Sequence, residues 1–328
     1  MNELWNTAGP AAAGAPAGSP LTARTARLPG RLRDPSLLGP AVSFELYPPR
    51  TPAGQQSLQA TIPNLCAARP DFFSVTYGAS GSSRDVSRGV VRWIREHTDV
   101  PVVAHLTCIG APEDEVREVA EALVADGVRD FLALRGDPPA GSTDWQAHPD
   151  GLERASDLVS LLRTVEADRP GLELSIAVAA NPGAVRLWPG DGGLPGDLRA
   201  LVAKQEAGAD YAITQVFFEV AEYVHYVEAA RAAGVTFPLL PGIVPLDDPA
   251  RLRRLQQVSG VAVPEWILTR LDAEDDEDAR RELGTRLGAD LVDEVLAAGA
   301  PGLHVYTFNQ HRAALALLDA ALLAPRRA

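Results

Sequence analysis

Cysteine is scarce in this chain, long apolar runs are missing, and basic residues fall short of acidic ones. The two cysteines, Cys66 and Cys108, lie in neither a CxxC nor a Cys/His ligand spacing. That excludes a disulfide framework, offers no metal site, and fits a reducing, cytoplasmic setting. No apolar run reaches the roughly 18 residues of a membrane-spanning helix. Acids outnumber bases 43 to 30, a net charge of −13, which argues against nucleic acid or an anionic membrane as partner. There is no Walker loop, no GxGxxG after a strand and no Ser-His-Asp order. The N-terminus lacks the apolar core of a signal peptide. Residues 1–39 are rich in Ala, Pro, Gly and Arg. Pro and Gly interrupt any helical face there, so a disordered tail is expected. Arg24, Arg27, Arg31 and Arg33, with few acids near them, give it a faint transit-peptide character.

The 328 residues are 46% hydrophobic and 22% charged, an ordinary globular balance. From residue 40 onward, short apolar runs alternate with segments of helical period. Eight strands are expected at 42–46, 72–77, 102–107, 130–134, 174–179, 211–215, 238–243 and 302–306. Helices are expected near 54–68, 85–97, 112–126, 153–167, 196–207, 220–233, 248–258, 278–299 and 311–323. The strands are nearly continuous in apolar residues, as parallel strands covered on both faces should be. This pattern predicts an α/β fold, a single (β/α)8 TIM barrel over residues 40–325. The acid run from Asp272 to Asp278 reads as a solvated turn that complements a helix dipole.

In such a barrel the C-terminal strand ends share one face. That face would collect Glu45, Ser74–Gly78, His105–Cys108, Leu134–Asp137, Asn181, Thr214–Phe218 and Tyr306–Asn309. Each has a plain structural reading. Glu45 could pair with Arg50, His105 could be a core histidine, and Arg135 and Asp137 could pair across their turn. Gln215 could satisfy loop backbone, and Phe217-Phe218 could be core. Their joint placement instead suggests a small-molecule site with few polar anchors on an apolar floor. A carboxyl flanked by Phe44 and Leu46 is expected to have a raised pKa, suited to proton donation.

These runs resemble the methylenetetrahydrofolate reductase family. The resemblance rests on Phe-Glu-Leu-Tyr-Pro-Pro-Arg-Thr at 44–51, Ser-Val-Thr-Tyr-Gly-Ala at 74–79 and Ala-His-Leu-Thr-Cys at 104–108. It continues through Leu-Arg-Gly-Asp at 134–137, Ala-Gly-Ala-Asp-Tyr-Ala-Ile-Thr-Gln at 207–215, Pro-Gly-Ile-Val-Pro at 241–245 and Tyr-Thr-Phe-Asn at 306–309. It implies a short catalytic barrel without a regulatory domain. The implied reaction reduces 5,10-methylenetetrahydrofolate to 5-methyltetrahydrofolate with NAD(P)H by way of FAD. By resemblance, Glu45 is the acid that protonates the folate, and Asp137 is the second catalytic residue. Gln215, Asp137 and Gln310 would bind the folate. Thr76, His105, Leu134, Arg135, Gly136, Asp137, Arg154, Ala155, Asp197 and Lys204 would bind the flavin. Asp197 and Lys204, seven apart, share one helix face, and Lys204 could meet a pyrophosphate. The partners implied are the folate and NAD(P)H, in a cytoplasmic protein that could form a homo-oligomer. The sequence departs from the family at four positions. Arg154 replaces a tyrosine, Asn181 an aromatic, Val185 a histidine and Gln310 an arginine. Either Arg154, Arg186 and Trp188 serve the flavin instead, or hydride passes directly from NAD(P)H to the folate. A non-catalytic folate-binding barrel is the alternative of another class.

Overall fold

Eight parallel strands close on themselves in chain order: β1 Ala41–Leu46, β2 Phe72–Val75, β3 Val102–Thr107, β4 Asp130–Leu134, β5 Ser175–Ala180, β6 Tyr211–Val216, β7 Leu239–Ile243 and β8 Gly302–Tyr306. They belong to a computed structural model that describes residues 28–33, 39–77, 81–137, 148–185 and 194–321. The helices between strands are α2 Pro52–Cys66, α3 Gly81–His97, α4 Glu113–Ala125, α5 Ala155–Ala167, α6 Gly196–Glu206 and α7 Val220–Ala232. Three helices, α8 Pro249–Ser259, α9 Glu265–Asp272 and α10 Glu277–Ala297, separate β7 from β8, and α11 His311–Ala320 follows β8. The expected (β/α)8 barrel is therefore the architecture. Helix α9 was not expected.

Strand side chains alternate between two sides. Outward residues such as Phe44, Leu46, Phe73, Val75, Leu106 and Phe131 pack in the layer under the helices. Inward residues Ala41, Phe72, Val103, Leu132, Ala177, Tyr211, Ile213 and Leu240 fill the barrel's lower interior. The register sets the polar layer above them. Ser43 lies opposite His304, while Glu45 lies opposite Ser74 on one side and Tyr306 on the other. Gly242 faces inward where space runs out. A Cβ there would meet the Thr214 carbonyl oxygen and come within 2.7 Å of the Tyr306 ring.

Local sequence explains the helix starts. Thr51 accepts from the Gly54 amide at 3.1 Å ahead of Pro52. Asp248 accepts from the Arg251 amide at 3.1 Å ahead of Pro249. Both follow the N-cap and proline-first pattern. The acid run behaves as expected over part of its length. Asp276 caps α10 through the Ala279 amide at 2.8 Å, with Glu277 and Asp278 in the first turn. Asp272 instead ends α9 and pairs with Arg253.

The expected disorder of residues 1–39 does not hold for 28–33. These form a short helix, α1 Leu28–Arg33, that stops the barrel's N-terminal opening. Leu28 and Leu32 join the lower interior cluster. Arg31, 3% exposed, donates through Nε to Asp71 at 3.1 Å. Asp71 also accepts from the Val42 amide at 2.8 Å. Six residues form no stable helix alone, so docking creates this one. Residues 1–27 and 34–38 lie outside the described residues. Among the described residues, no helix is long and apolar enough to cross a membrane.

Candidate active site

Glu45 is the last inward residue of β1, and its side chain is 8% exposed. Oε1 accepts from the Thr76 hydroxyl at 3.1 Å. Oε2 lies 3.4 Å from His304 Nε2 and 3.9 Å from His105 Nε2. The expected rise in its pKa is reversed. Burial pushes it up, but the His304 hydrogen bond, the charges of His105 and His304 when protonated, and the Thr76 hydroxyl together outweigh that, and the carboxyl falls below its ordinary value. Burial pushes His105 down to about 4, which leaves it uncharged at neutral pH. His304 Nε2 is the nearer of the two imidazole nitrogens to the carboxyl.

His304 was not singled out from the sequence. A legible signal existed: a histidine within the apolar run Gly302–Tyr306, two residues before Tyr306 and so on the same inward face. Around Glu45, Thr307 Oγ1 donates to its carbonyl oxygen at 2.7 Å. Asn309 accepts from the Tyr47 amide at 2.8 Å and donates to the Tyr47 carbonyl at 2.9 Å. Phe308 and Asn309 both take the left-handed conformation, with φ of 50° and 57°. This unusual pair of turns stacks the Phe308 ring on Tyr47 at 6.2 Å.

The other expected residues divide. Thr76 and His105 are gathered at the carboxylate. Gln215 lies on the same rim, at a register irregularity of β6. Its Oε1 accepts from the Val216 amide at 2.9 Å, so it satisfies backbone. Phe217 and Phe218 are buried core. Gln310 is exposed and accepts from Arg251 at 3.0 Å, and Arg251 lies over the Phe308 ring at 5.4 Å. Arg135 and Asp137 are exposed at the end of β4, beyond Leu134. Arg135 donates to the Gly136 carbonyl at 3.3 Å. Among the described residues, no hydrogen bond or ion pair joins Asp137 to Arg135 or to Glu45. Gly136 takes φ +89°, and a Cβ there would press on Ile109 at 2.7 Å. Arg154 caps α5 and is exposed, whereas Ala155 behind it is buried. Gly78, Ala79, Arg186 and Trp188 lie outside the described residues.

Lys204 on α6 is the only lysine in the chain. Its ammonium donates to the Ala179 carbonyl at 2.8 Å, at the end of β5. Asp197, one face of the same helix away, accepts from the Tyr226 hydroxyl at 3.2 Å. Burial pushes Lys204 down and Asp197 up, and each opposes the other's shift by its charge. An ammonium has three donors, so Lys204 retains capacity for an anionic ligand. His105 Nε2 is buried without a hydrogen-bond partner. That donor set, cation at one side and unsatisfied imidazole at the other, suits a phosphorylated cofactor with a polar ring edge such as FAD. Two of the substituted positions differ in their surroundings. Val185 is packed in the core and Asn181 is exposed.

Comparison with known proteins places the sequence in a family. The family model described as methylenetetrahydrofolate reductase matches residues 37–321. The 5,10-methylenetetrahydrofolate reductase of Escherichia coli (strain K12) is 35% identical over 270 residues, covering 82% of this chain and 86% of that one. Methylenetetrahydrofolate reductase (NADH) 1 of Zea mays is 32% identical over 284 residues, or 85% of this chain and 47% of that longer one. Among solved structures, an uncharacterized protein from Clostridium thermocellum that binds two copies of 5-methyl-5,6,7,8-tetrahydrofolic acid superposes with a TM-score of 0.57. Its identity is 14%, covering 86% of this chain and 93% of that one, a likeness of fold alone. On the family model and the bacterial relatives, this chain belongs to the methylenetetrahydrofolate reductase family.

Proposed function

We propose that this chain reduces 5,10-methylenetetrahydrofolate to 5-methyltetrahydrofolate, with NAD(P)H as reductant and FAD as the carrier between them. The observation that carries the proposal is Glu45: a carboxyl at the mouth of the barrel, nearly closed off from water and held by Thr76 and His304. Opening the methylene bridge requires a proton at the departing amine while the methylene carbon accepts hydride. Glu45 supplies that proton, and its enclosure keeps water from competing. Asp137 and Gln310, both on the rim, and Gln215 would orient the folate. Gln215 would present its amide nitrogen, since its oxygen is engaged by Val216.

Bound FAD would supply a reversible hydride acceptor between nicotinamide and folate. Thr76, His105, Leu134, Arg135, Gly136, Arg154, Ala155, Asp197 and Lys204 would hold it. Lys204 would meet the phosphates as a point charge and His105 would offer the ring edge its free nitrogen. A flavin-free reductase is the second reading, favoured by Val185, which is core where the family pattern has a histidine. The two free cysteines support a reducing cytoplasmic location. Homo-oligomeric assembly is part of the same proposal.

The test is turnover of NAD(P)H and 5,10-methylenetetrahydrofolate by purified protein, with and without added FAD. Formation of 5-methyltetrahydrofolate that depends on FAD, with absorbance between about 350 and 500 nm, is expected. Full activity of colourless protein without FAD selects the second reading, and no product under either condition refutes the proposal. Glu45→Gln is expected to lower kcat by about a hundredfold or more.

A further inference from the structure

We infer that His304 is a positioning residue for this reaction, holding on Nε2 the proton that Glu45 delivers, while Ser43 fixes the ring so that Nε2 is the nitrogen that exchanges it. The inference rests on the reading of Glu45 as the acid.

The tautomer follows from a proton count. His304 is completely buried. Ser43 Oγ donates to the Leu303 carbonyl at 3.1 Å and lies 2.8 Å from His304 Nδ1. A serine hydroxyl has one proton. With that proton committed to the carbonyl, Nδ1 must be the donor to Ser43. Nε2 is left facing Glu45 Oε2 and the Ser74 hydroxyl, each at 3.4 Å. Phe72 stacked on the ring at 5.9 Å and Tyr306 edge-on at 5.3 Å hold its plane.

The titratable groups facing this pair are few. His105 approaches from β3, Tyr47 from the turn after β1 and Tyr306 from β8. Burial pushes both phenols far above their ordinary range, so they stay neutral, and His105 is uncharged at neutral pH. Strands β2 and β7 present Ser74 and Gly242, which carry no charge. Glu45 Oε2 and His304 Nε2 therefore face each other with no other charged group between them, the geometry for passing one proton from ring to carboxylate.

In the step, the Nε2–H bond of the imidazolium breaks as an O–H bond forms at Glu45 Oε2. That O–H bond then breaks as the proton passes to the folate nitrogen leaving the methylene bridge, while hydride from the reductant reaches the methylene carbon. Neutral His304 and the Glu45 carboxylate remain, and one proton from water restores the pair.

The test compares His304→Gln and Ser43→Ala with wild type in kcat and KM across pH. Glutamine keeps a donor toward Glu45 but neither gains nor loses a proton in the accessible pH range. For folded H304Q, kcat is expected to fall by about tenfold or more with KM for folate within about twofold, and the alkaline limb of the profile to move. S43A, which frees the ring, should move that limb less far. An unchanged kcat and pH profile in H304Q, or a loss carried equally by KM, overturns the inference. If H304Q does not fold, an unmoved limb in S43A overturns it. If wild type does not turn over folate, the proposed function fails separately. Infrared titration of the Glu45 carboxyl, assigned with Glu45→Gln, still reads the pair. Its protonation should shift upward by about one pH unit or more without His304, and an unmoved titration overturns the pairing.

Discussion

Leu32→Ala tests whether the barrel floor is part of the fold. Leu32 is 2% exposed and packs with Leu28 against the lower interior residues. Truncating such a leucine removes its transfer energy and leaves a cavity, at a cost of about 2–5 kcal/mol. Unfolding entropy near the melting temperature is about 2.1 cal/mol/K per residue. For 328 residues that is about 0.7 kcal/mol/K, so each kcal/mol lowers the melting temperature by about 1.5 °C. The expected loss is about 3–7 °C in differential scanning calorimetry. Val258→Ala is the control. Val258 is 70% exposed, and its truncation should cost under about 0.5 kcal/mol, or less than about 1 °C. Melting of L32A within about 1 °C of wild type would refute the docking of α1 and return residues 28–33 to the tail. Arg31→Met would add a second line. It removes the Nε donor to Asp71, and losing a hydrogen bond to a charged group costs about 1.5–3 kcal/mol.

Three further predictions concern the site. Gly242→Ala should cost about 1–3 kcal/mol or more by overpacking, because the Thr214 carbonyl and the Tyr306 ring occupy the space; urea denaturation reads it, and a neutral effect would contradict the register of β6 to β8. His105 has a folded pKa of about 4 against an ordinary value of 6.5. The unfolded chain therefore binds more protons between those values, and stability is complete above about pH 6.5 and declines as pH falls toward 4. The span corresponds to about 3 kcal/mol, and His105→Asn should flatten the denaturation midpoint over that window. Lys204, as the only lysine, should be the single side chain acylated by an amine-selective reagent. FAD should protect it in mass spectrometry, and Lys204→Met should weaken FAD binding by about tenfold or more.

The strands were legible because parallel strands buried on both faces leave apolar runs that nothing else in the chain imitates. Their ends were less so. Strand β2 stops at Val75, and β5 starts at Ser175 and runs to Ala180, since ladder pairing, not hydrophobicity, sets the limits. Helix α9 was hidden by the acids that follow it. Helix α1 was hidden because six residues with a proline and a glycine carry no periodic signal, and only the barrel floor makes them a helix. The gathering of Glu45, Thr76 and His105 was legible because motif and strand end coincide. The direction of the Glu45 pKa was misjudged from its neighbours in sequence, Phe44 and Leu46. These point outward, while its neighbours in space are two histidines from strands 60 and 259 residues away. Pleating, which no single strand reveals, decides that chemistry.

The Asn309 clamp on Tyr47 has a consequence for how the protein is made. It fastens the turn after the last strand to the turn after the first, across 262 residues of chain. His304 and Thr307 reach Glu45 from the same late segment. While the ribosome is still adding β8, Glu45 has already emerged but stands without its histidine, its carbonyl partner or its closing strand. Domains acquire structure as they leave the ribosome, yet here the acid's surroundings arrive last. A truncated product ending before β8 would keep Thr76 and His105 near Glu45 but lack His304, Thr307 and the strand that closes the barrel beside it.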